Sequence, residues 1–99
     1  MRFARNVQFQ IKSGKEREFT ALFEKDVLPL LRKQNGFQEY VSLLNPKGFS
    51  GTSLWDDKKS ADAYQADAYP QVLAKLTTVI EGTPRVENFE TASKYARVA

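Results

Sequence analysis

Trp55, Tyr64 and Tyr69 are the residues of this 99-residue chain whose types and spacing could do chemistry. An indole N–H and two phenols are hydrogen-bond donors carried on apolar rings. Such a lining suits a pocket for a small aromatic or apolar ligand, and Phe23 and Leu73 would add apolar wall. The plain alternative is that these rings fill a core. Trp55, the only tryptophan, follows Ser53-Leu54 and precedes Asp56-Asp57-Lys58-Lys59, so it stands where a strand gives way to a helix. Arg5 and Asn6 are adjacent in an alternating segment and therefore face opposite ways. A surface ion pair is the expected place for Arg5. Turned inward, it would need an anionic partner, either a carboxylate such as Glu39 or Glu87 or a ligand anion. Asp56 and Asp57 could hold a metal or share a proton, but helix capping accounts for both, and no metal site is expected.

The residue types that are missing exclude more. There is no cysteine and no histidine, which removes disulfides, thiolate sites, Ser-His and Cys-His nucleophile pairs and the usual haem ligand. The 15 basic and 12 acidic residues interleave to a net charge of +3, without the one-sided basic stripe of a nucleic-acid binder. No apolar run approaches the ~18 residues of a membrane span. The opening MRFARNVQFQ lacks a signal-peptide apolar block. A cytoplasmic protein with no nucleic-acid or membrane partner is expected.

The elements that must position these residues follow from periodicity. Phe3 to Ile11 alternates, with Phe3, Val7, Phe9 and Ile11 on one face, as a strand does. Ser13 and Glu16 have the spacing of a capping box, opening a helix with Phe19, Leu22, Phe23, Val27, Leu30 and Leu31 spaced three and four apart. Pro29 implies a kink or restart in it, and Gly36 a left-handed stop. Phe37–Leu44 and Phe49–Trp55 form a hairpin across Asn45-Pro46-Lys47-Gly48, a turn sequence. Asp56-Asp57 opens a second helix that restarts at Pro70 and carries Val72, Leu73, Leu76, Val79 and Ile80. Gly82-Thr83-Pro84 should stop it, before a last strand from Arg85 to Thr91. The order β-α-β-β-α-β is the α+β, ferredoxin-like arrangement, a four-stranded antiparallel sheet with both helices on one face. One domain over residues 1–92 and a C-terminal tail, 93–99, are expected.

The uncovered sheet face should be polar, yet apolar residues fall on both faces. Phe37, Val41 and Leu43 should point one way and Tyr40 and Leu44 the other, while Phe49 and Trp55 oppose Leu54. A second copy of the chain, packed sheet against sheet in a two-fold homodimer, would cover what the helices leave open.

Several groups of residues together resemble the antibiotic biosynthesis monooxygenase family. They are Ile11-Lys12-Ser13-Gly14-Lys15, Val27-Leu28-Pro29-Leu30-Leu31, Ser53-Leu54-Trp55-Asp56, Ala61-Asp62-Ala63-Tyr64 and Gly82-Thr83-Pro84-Arg85-Val86. The resemblance spans about Phe3 to Thr91 and implies a dimeric α/β barrel. Some members oxygenate polyphenols or quinols without metal or flavin, and others degrade haem. For haem degradation the family pattern asks for an asparagine on the first strand, a tryptophan after the third and a histidine on the second helix. Trp55 fits, but the histidine position falls near Leu73, and alignment on Gly14 puts Val7, not Asn6, at the asparagine. The expectation is therefore a cofactor-independent monooxygenase. Its small aromatic substrate would lie between sheet and helices against Trp55, Tyr64, Tyr69, Phe23, Leu73 and Arg5. A non-catalytic dimeric binding protein for a small aromatic or apolar ligand stands beside it.

Overall fold

Strand alternation turns into a four-stranded antiparallel sheet in the computed structural model, which describes residues 2–92. The tail expected at 93–99 lies outside the described residues. The strands are β1 (Phe3–Ile11), β2 (Phe37–Asn45), β3 (Gly48–Trp55) and β4 (Ile80–Glu90), in the spatial order β2-β3-β1-β4. The helical connections, α1 (Glu16–Leu22) to α2 (Leu28–Arg32) and α3 (Lys58–Asp67) to α4 (Tyr69–Leu76), complete the ferredoxin-like order. Odd-numbered β1 residues pair with Trp55, Ser53, Gly51 and Phe49 of β3, and these four are buried. That shared face carries the core, where Phe3, Phe49 and Trp55 meet Phe19, Val27 and Val72 of the helices.

The first helix departs from expectation at both its start and its middle. No capping box forms. Gly14 takes a left-handed φ of 81°, and Lys15 N–H closes a turn onto Lys12 O at 2.9 Å. Ser13 is used up in that turn, and Lys15 occupies the N-cap without a side-chain bond. Further on, the fully buried positions are Phe19, Phe23, Val27 and Leu31, a strict period of four. An α-helix turns about 100° per residue, so each step of four drifts by about 40°. A π segment, Phe23–Val27, takes up that drift: Leu28 N–H donates to Phe23 O, five residues back. Pro29 then sits in the first turn of α2, where its missing N–H costs little. The proline marks a restart.

Two bulges re-aim side chains. Phe37 and Glu39 pair with the adjacent residues Trp55 and Leu54, leaving Gln38 extra. This bulge turns Phe37 to the helix side, against the expectation that it shares a face with Val41 and Leu43, and its ring meets Trp55 at 5.5 Å. On the other edge, Gln8 pairs with Arg85 and Gln10 with Glu81, so residues 82–84 face Phe9 alone. Gly82-Thr83-Pro84, expected to stop a helix, is therefore a bulge within β4. Val79 and Ile80, expected on the helix, lie beyond it, and Ile80 opens the strand. An edge strand tolerates Pro84, which has no N–H to give.

Of the two carboxylates expected to cap the second helix, Asp57 does so, accepting from Ser60 N–H at 2.8 Å, whereas Asp56 instead accepts from Gln38 Nε2. On the outer sheet face Asn6 Nδ2 donates to Ser50 Oγ and Thr52 Oγ1, both at 2.9 Å. The apolar groups there, Val41, Leu43 and Phe89, are exposed toward the sheet's two edges.

Gly51 is a glycine for lack of space, since a Cβ there would lie 2.0 Å from Tyr40 Oη and 2.8 Å from its Cζ. Gly51→Ala is expected to cost about 1–3 kcal/mol of overpacking, read by urea unfolding at pH 7. Adding Tyr40→Phe should recover only part, because Cζ remains too close. A Gly51→Ala protein as stable as wild type would contradict this packing.

Candidate functional site

Parity on β1 carries Arg5 inward. The residue pairs with Ser53 of β3 and Asn88 of β4 and is 3% exposed. The expected surface ion pair does not form, because the strand face that holds Phe3 and Val7 also holds residue 5. Glu39 lies 4.0 Å from Arg2, and Glu87 pairs with Arg85 at 2.7 Å. Arg5 instead donates from Nε to Gln65 Oε1 at 3.0 Å and from Nη2 to the same oxygen. Its Cζ lies 4.3 Å from the Tyr69 ring centre and 5.1 Å from that of Tyr64. The negative ring faces favour the cation. Burial lowers the guanidinium pKa, and Tyr64 and Tyr69 partly offset that. The group stays charged even so, since an arginine titrates above ~12 in water. No Asp or Glu among the described residues forms a salt bridge with it.

Beside Arg5 lies a cavity of about 40 Å³ between sheet and helices. Arg5, Tyr64, Tyr69, Phe23 and Leu73 all line it. Trp55 does not, which corrects the reading of its indole as pocket wall. It is fully buried one ring further back, 5.0 Å from Tyr64, and its N–H is spent on Ser53 Oγ at 2.9 Å. Trp55 is a core plug that backs Tyr64. Tyr40, Gly51 and Pro84 also line the cavity, and sequence reasoning missed them. A glycine in mid-strand opposite an alternating aromatic strand was the available signal for Tyr40. Asn6 faces away, on the outer sheet surface.

The cavity is apolar except at Arg5, Ser53 and three phenols. Burial pushes Tyr64 up to about 12, against a smaller lowering by Arg5, and it raises Tyr69 and Tyr40 as well. All three are protonated donors at neutral pH. Among the described residues no carboxylate lines the space, so the site can stabilise an anion and donate hydrogen bonds, but has no ordinary group to take a proton. Val7, Phe9, Leu73 and Pro84, each half-buried, form its less enclosed side. A water needs ~10–15 Å³ of such volume, and an engineered apolar cavity of ~150 Å³ takes a benzene. As it stands, the cavity is large enough for a water molecule and too small for an aromatic ring. Among the described residues no cluster of three His, Cys, Asp or Glu side chains could hold a metal.

Gln65→Glu offers Arg5 the carboxylate it lacks. Residue 65 is exposed, so the expected gain at pH 7 is only about 1 kcal/mol. The guanidinium would hold the new carboxyl below its ordinary value of ~4.3. The gain is therefore present above that value and lost as pH falls through the lower folded one. Urea unfolding at pH 7 and pH 3 checks it, and a loss of stability at pH 7 would contradict the picture of an uncompensated charge.

Comparison with known proteins places this geometry. The model of the antibiotic biosynthesis monooxygenase family matches residues 2–76. Among curated protein sequences none matches. A protein of unknown function from Nitrosomonas europaea has a similar structure, with a TM-score of 0.78 at 18% identity over 99% of this chain and 96% of that one. SnoaB, a cofactor-independent oxygenase from Streptomyces nogalater, has a TM-score of 0.77 at 14% identity, covering 97% of this chain and 98% of its own. A conserved protein from Methanosarcina mazei Go1 reaches 0.74 at 17% identity over 90% of this chain and 91% of that one. At such identities the structures show a common fold. The family match spans well over half of the sequence, and on that ground the chain belongs to the antibiotic biosynthesis monooxygenase family.

Proposed function

We propose that the protein is a cofactor-independent monooxygenase acting on a small aromatic substrate of the polyphenol or quinol kind, held beside Arg5. The observation that carries this reading is a buried guanidinium, bonded to a neutral amide and facing an apolar cavity. A cation in such a place favours the ionised form of a phenol. Family membership and the fold shared with a cofactor-independent oxygenase support the same reaction class.

The chemistry asks little of the protein beyond holding that anion. An electron-rich phenolate passes one electron to O2, and the resulting radical and superoxide join at a ring carbon bearing hydrogen. The peroxide anion takes a proton back from solvent, and the hydroperoxide then loses water, so one oxygen atom stays as a carbonyl and the other leaves as water. Arg5 offsets the phenolate charge, and Tyr64 and Tyr69 donate to oxygens as charge develops on them. Since no carboxylate among the described residues lines the cavity, the substrate's proton leaves to solvent before binding. kcat/KM should then rise with pH until the free substrate's own phenol is ionised, and level off above it.

Oxygen uptake with a panel of quinols and anthrone-like compounds tests the reading. Arg5→Met should lower kcat/KM by about 100-fold or more, the scale of losing one preorganised charge-stabilising donor. A methionine without turnover cost would sink the role given to Arg5. The second reading, a non-catalytic binding protein for the same compounds, is favoured by the lack of a lining base among the described residues. Wild-type protein that changes Trp55 fluorescence with these ligands and consumes no oxygen would decide for it.

We also propose that two copies pair through the outer sheet face, where Val41, Leu43 and Phe89 are exposed around a polar centre of Asn6, Gln8, Ser50 and Thr52. Sedimentation at micromolar concentration should give a dimer that Leu43→Glu weakens, and a monomeric wild type would end this proposal.

A further inference from the structure

The cavity beside Arg5 shares a wall with a second apolar hollow. Beyond Phe23 and Phe49 lies a groove of about 240 Å³, lined by Ile11, Phe19, Thr20, Leu28 and Leu44 among others. Phe23 and Phe49 line both spaces. Their ring centres are 6.0 Å apart, so a pair of rings makes up the partition. The closed side, at about 40 Å³, is below the size that takes an aromatic ring, whereas the groove exceeds it. The volume an aromatic needs to reach Arg5 is next door.

The two rings are not equally fixed. Phe49 sits in β3, paired to Phe9 on one side and Leu44 on the other, and its ring stacks on Phe9 at 4.7 Å. Phe23 is the first residue of the π segment, and its carbonyl accepts the wide-turn bond from Leu28. π turns occur mostly as single insertions in α-helices and frequently at functional sites. A shift of one residue between π and α register would swing a side chain there by about 100°. Its ring neighbours are other rings, Phe19 at 5.6 Å and Tyr40 at 5.2 Å, and the phenyl itself makes no hydrogen bond.

We propose that Phe23 is the gate and length-selecting residue of this site. Turned aside, it joins cavity and groove into one slot, so that a ligand's phenol sits at Arg5 while further rings lie in the groove. The inference rests on the reading that an aromatic occupies the Arg5 cavity. It adds that the ratio of affinities for long and short phenols is set at residue 23.

The test is anaerobic calorimetric binding of phenol and of 2-anthrol, a three-ring phenol, to the full chain. Phe23→Ala should raise the affinity ratio of 2-anthrol to phenol by about tenfold or more. Thr20→Trp, at an exposed residue that lines the groove and not the Arg5 cavity, should lower it by a similar factor. If Phe23→Ala fails to fold, Phe23→Leu takes its place and should move the ratio in the same direction. A ratio that stays put, or moves the same way in both variants, overturns the gate while the Arg5 cavity stands. Length-selective binding without oxygen uptake would count against the monooxygenase reading and leave the gate standing. No binding of either phenol to wild type would overturn both.

Discussion

The interaction on which this structure turns is the burial of one positive charge without a carboxylate to meet it. Arg5 lies on the helix side of a central strand, held by one neutral oxygen of Gln65 and by the faces of Tyr64 and Tyr69. A desolvated guanidinium is costly, and ring faces and an amide offset only part of the cost. A domain with a net stability of only ~5–15 kcal/mol would not carry such a residue for packing alone, and an apolar side chain of similar volume would serve the core as well or better. In the proposed function the charge offers a fixed place for an anion.

The rest of the fold can be understood as holding that place. β3 lies against Arg5 and carries Trp55, whose indole is spent on Ser53 and whose ring backs Tyr64. The Tyr64 and Tyr69 rings come from α3 and from the first turn of α4, and the break at Ala68 lets both face the same cation. Gly51 leaves room for the Tyr40 hydroxyl on the opposite wall. Even the irregular first helix follows from packing, because four residues spaced strictly by four cannot all stay on one face of a straight α-helix.

Much of this was legible in the residues. Alternation, turn chemistry and the prolines at 29 and 70 yielded the order of elements, and five of the six residues proposed for the site line one cavity. Three kinds of detail were not. Bulges at Gln38 and at 82–84 each change which side chains share a face; no local residue type announces the first, and Gly82 and Pro84 of the second read equally well as a helix stop. The period of four was present, but it is close enough to 3.6 to pass for an ordinary helix. Arg5 was misjudged for a different reason: Phe3, Val7 and Phe9 share its parity, and the pattern pointed inward while the residue type pointed to water. Where pattern and residue type disagree, a functional site is the place to expect.

The central claim is that Arg5 stabilises a bound phenolate. Its most direct measure is the pKa of a phenol probe in the site, followed by absorbance across pH with wild-type protein and with Arg5→Met. The account predicts that binding to wild type lowers the probe's pKa by about one unit or more, on the scale of a cation within ~4–6 Å, and that the shift vanishes in the variant. A bound phenol whose pKa is raised, as a merely apolar pocket would do, or one that titrates identically in both proteins, would contradict it.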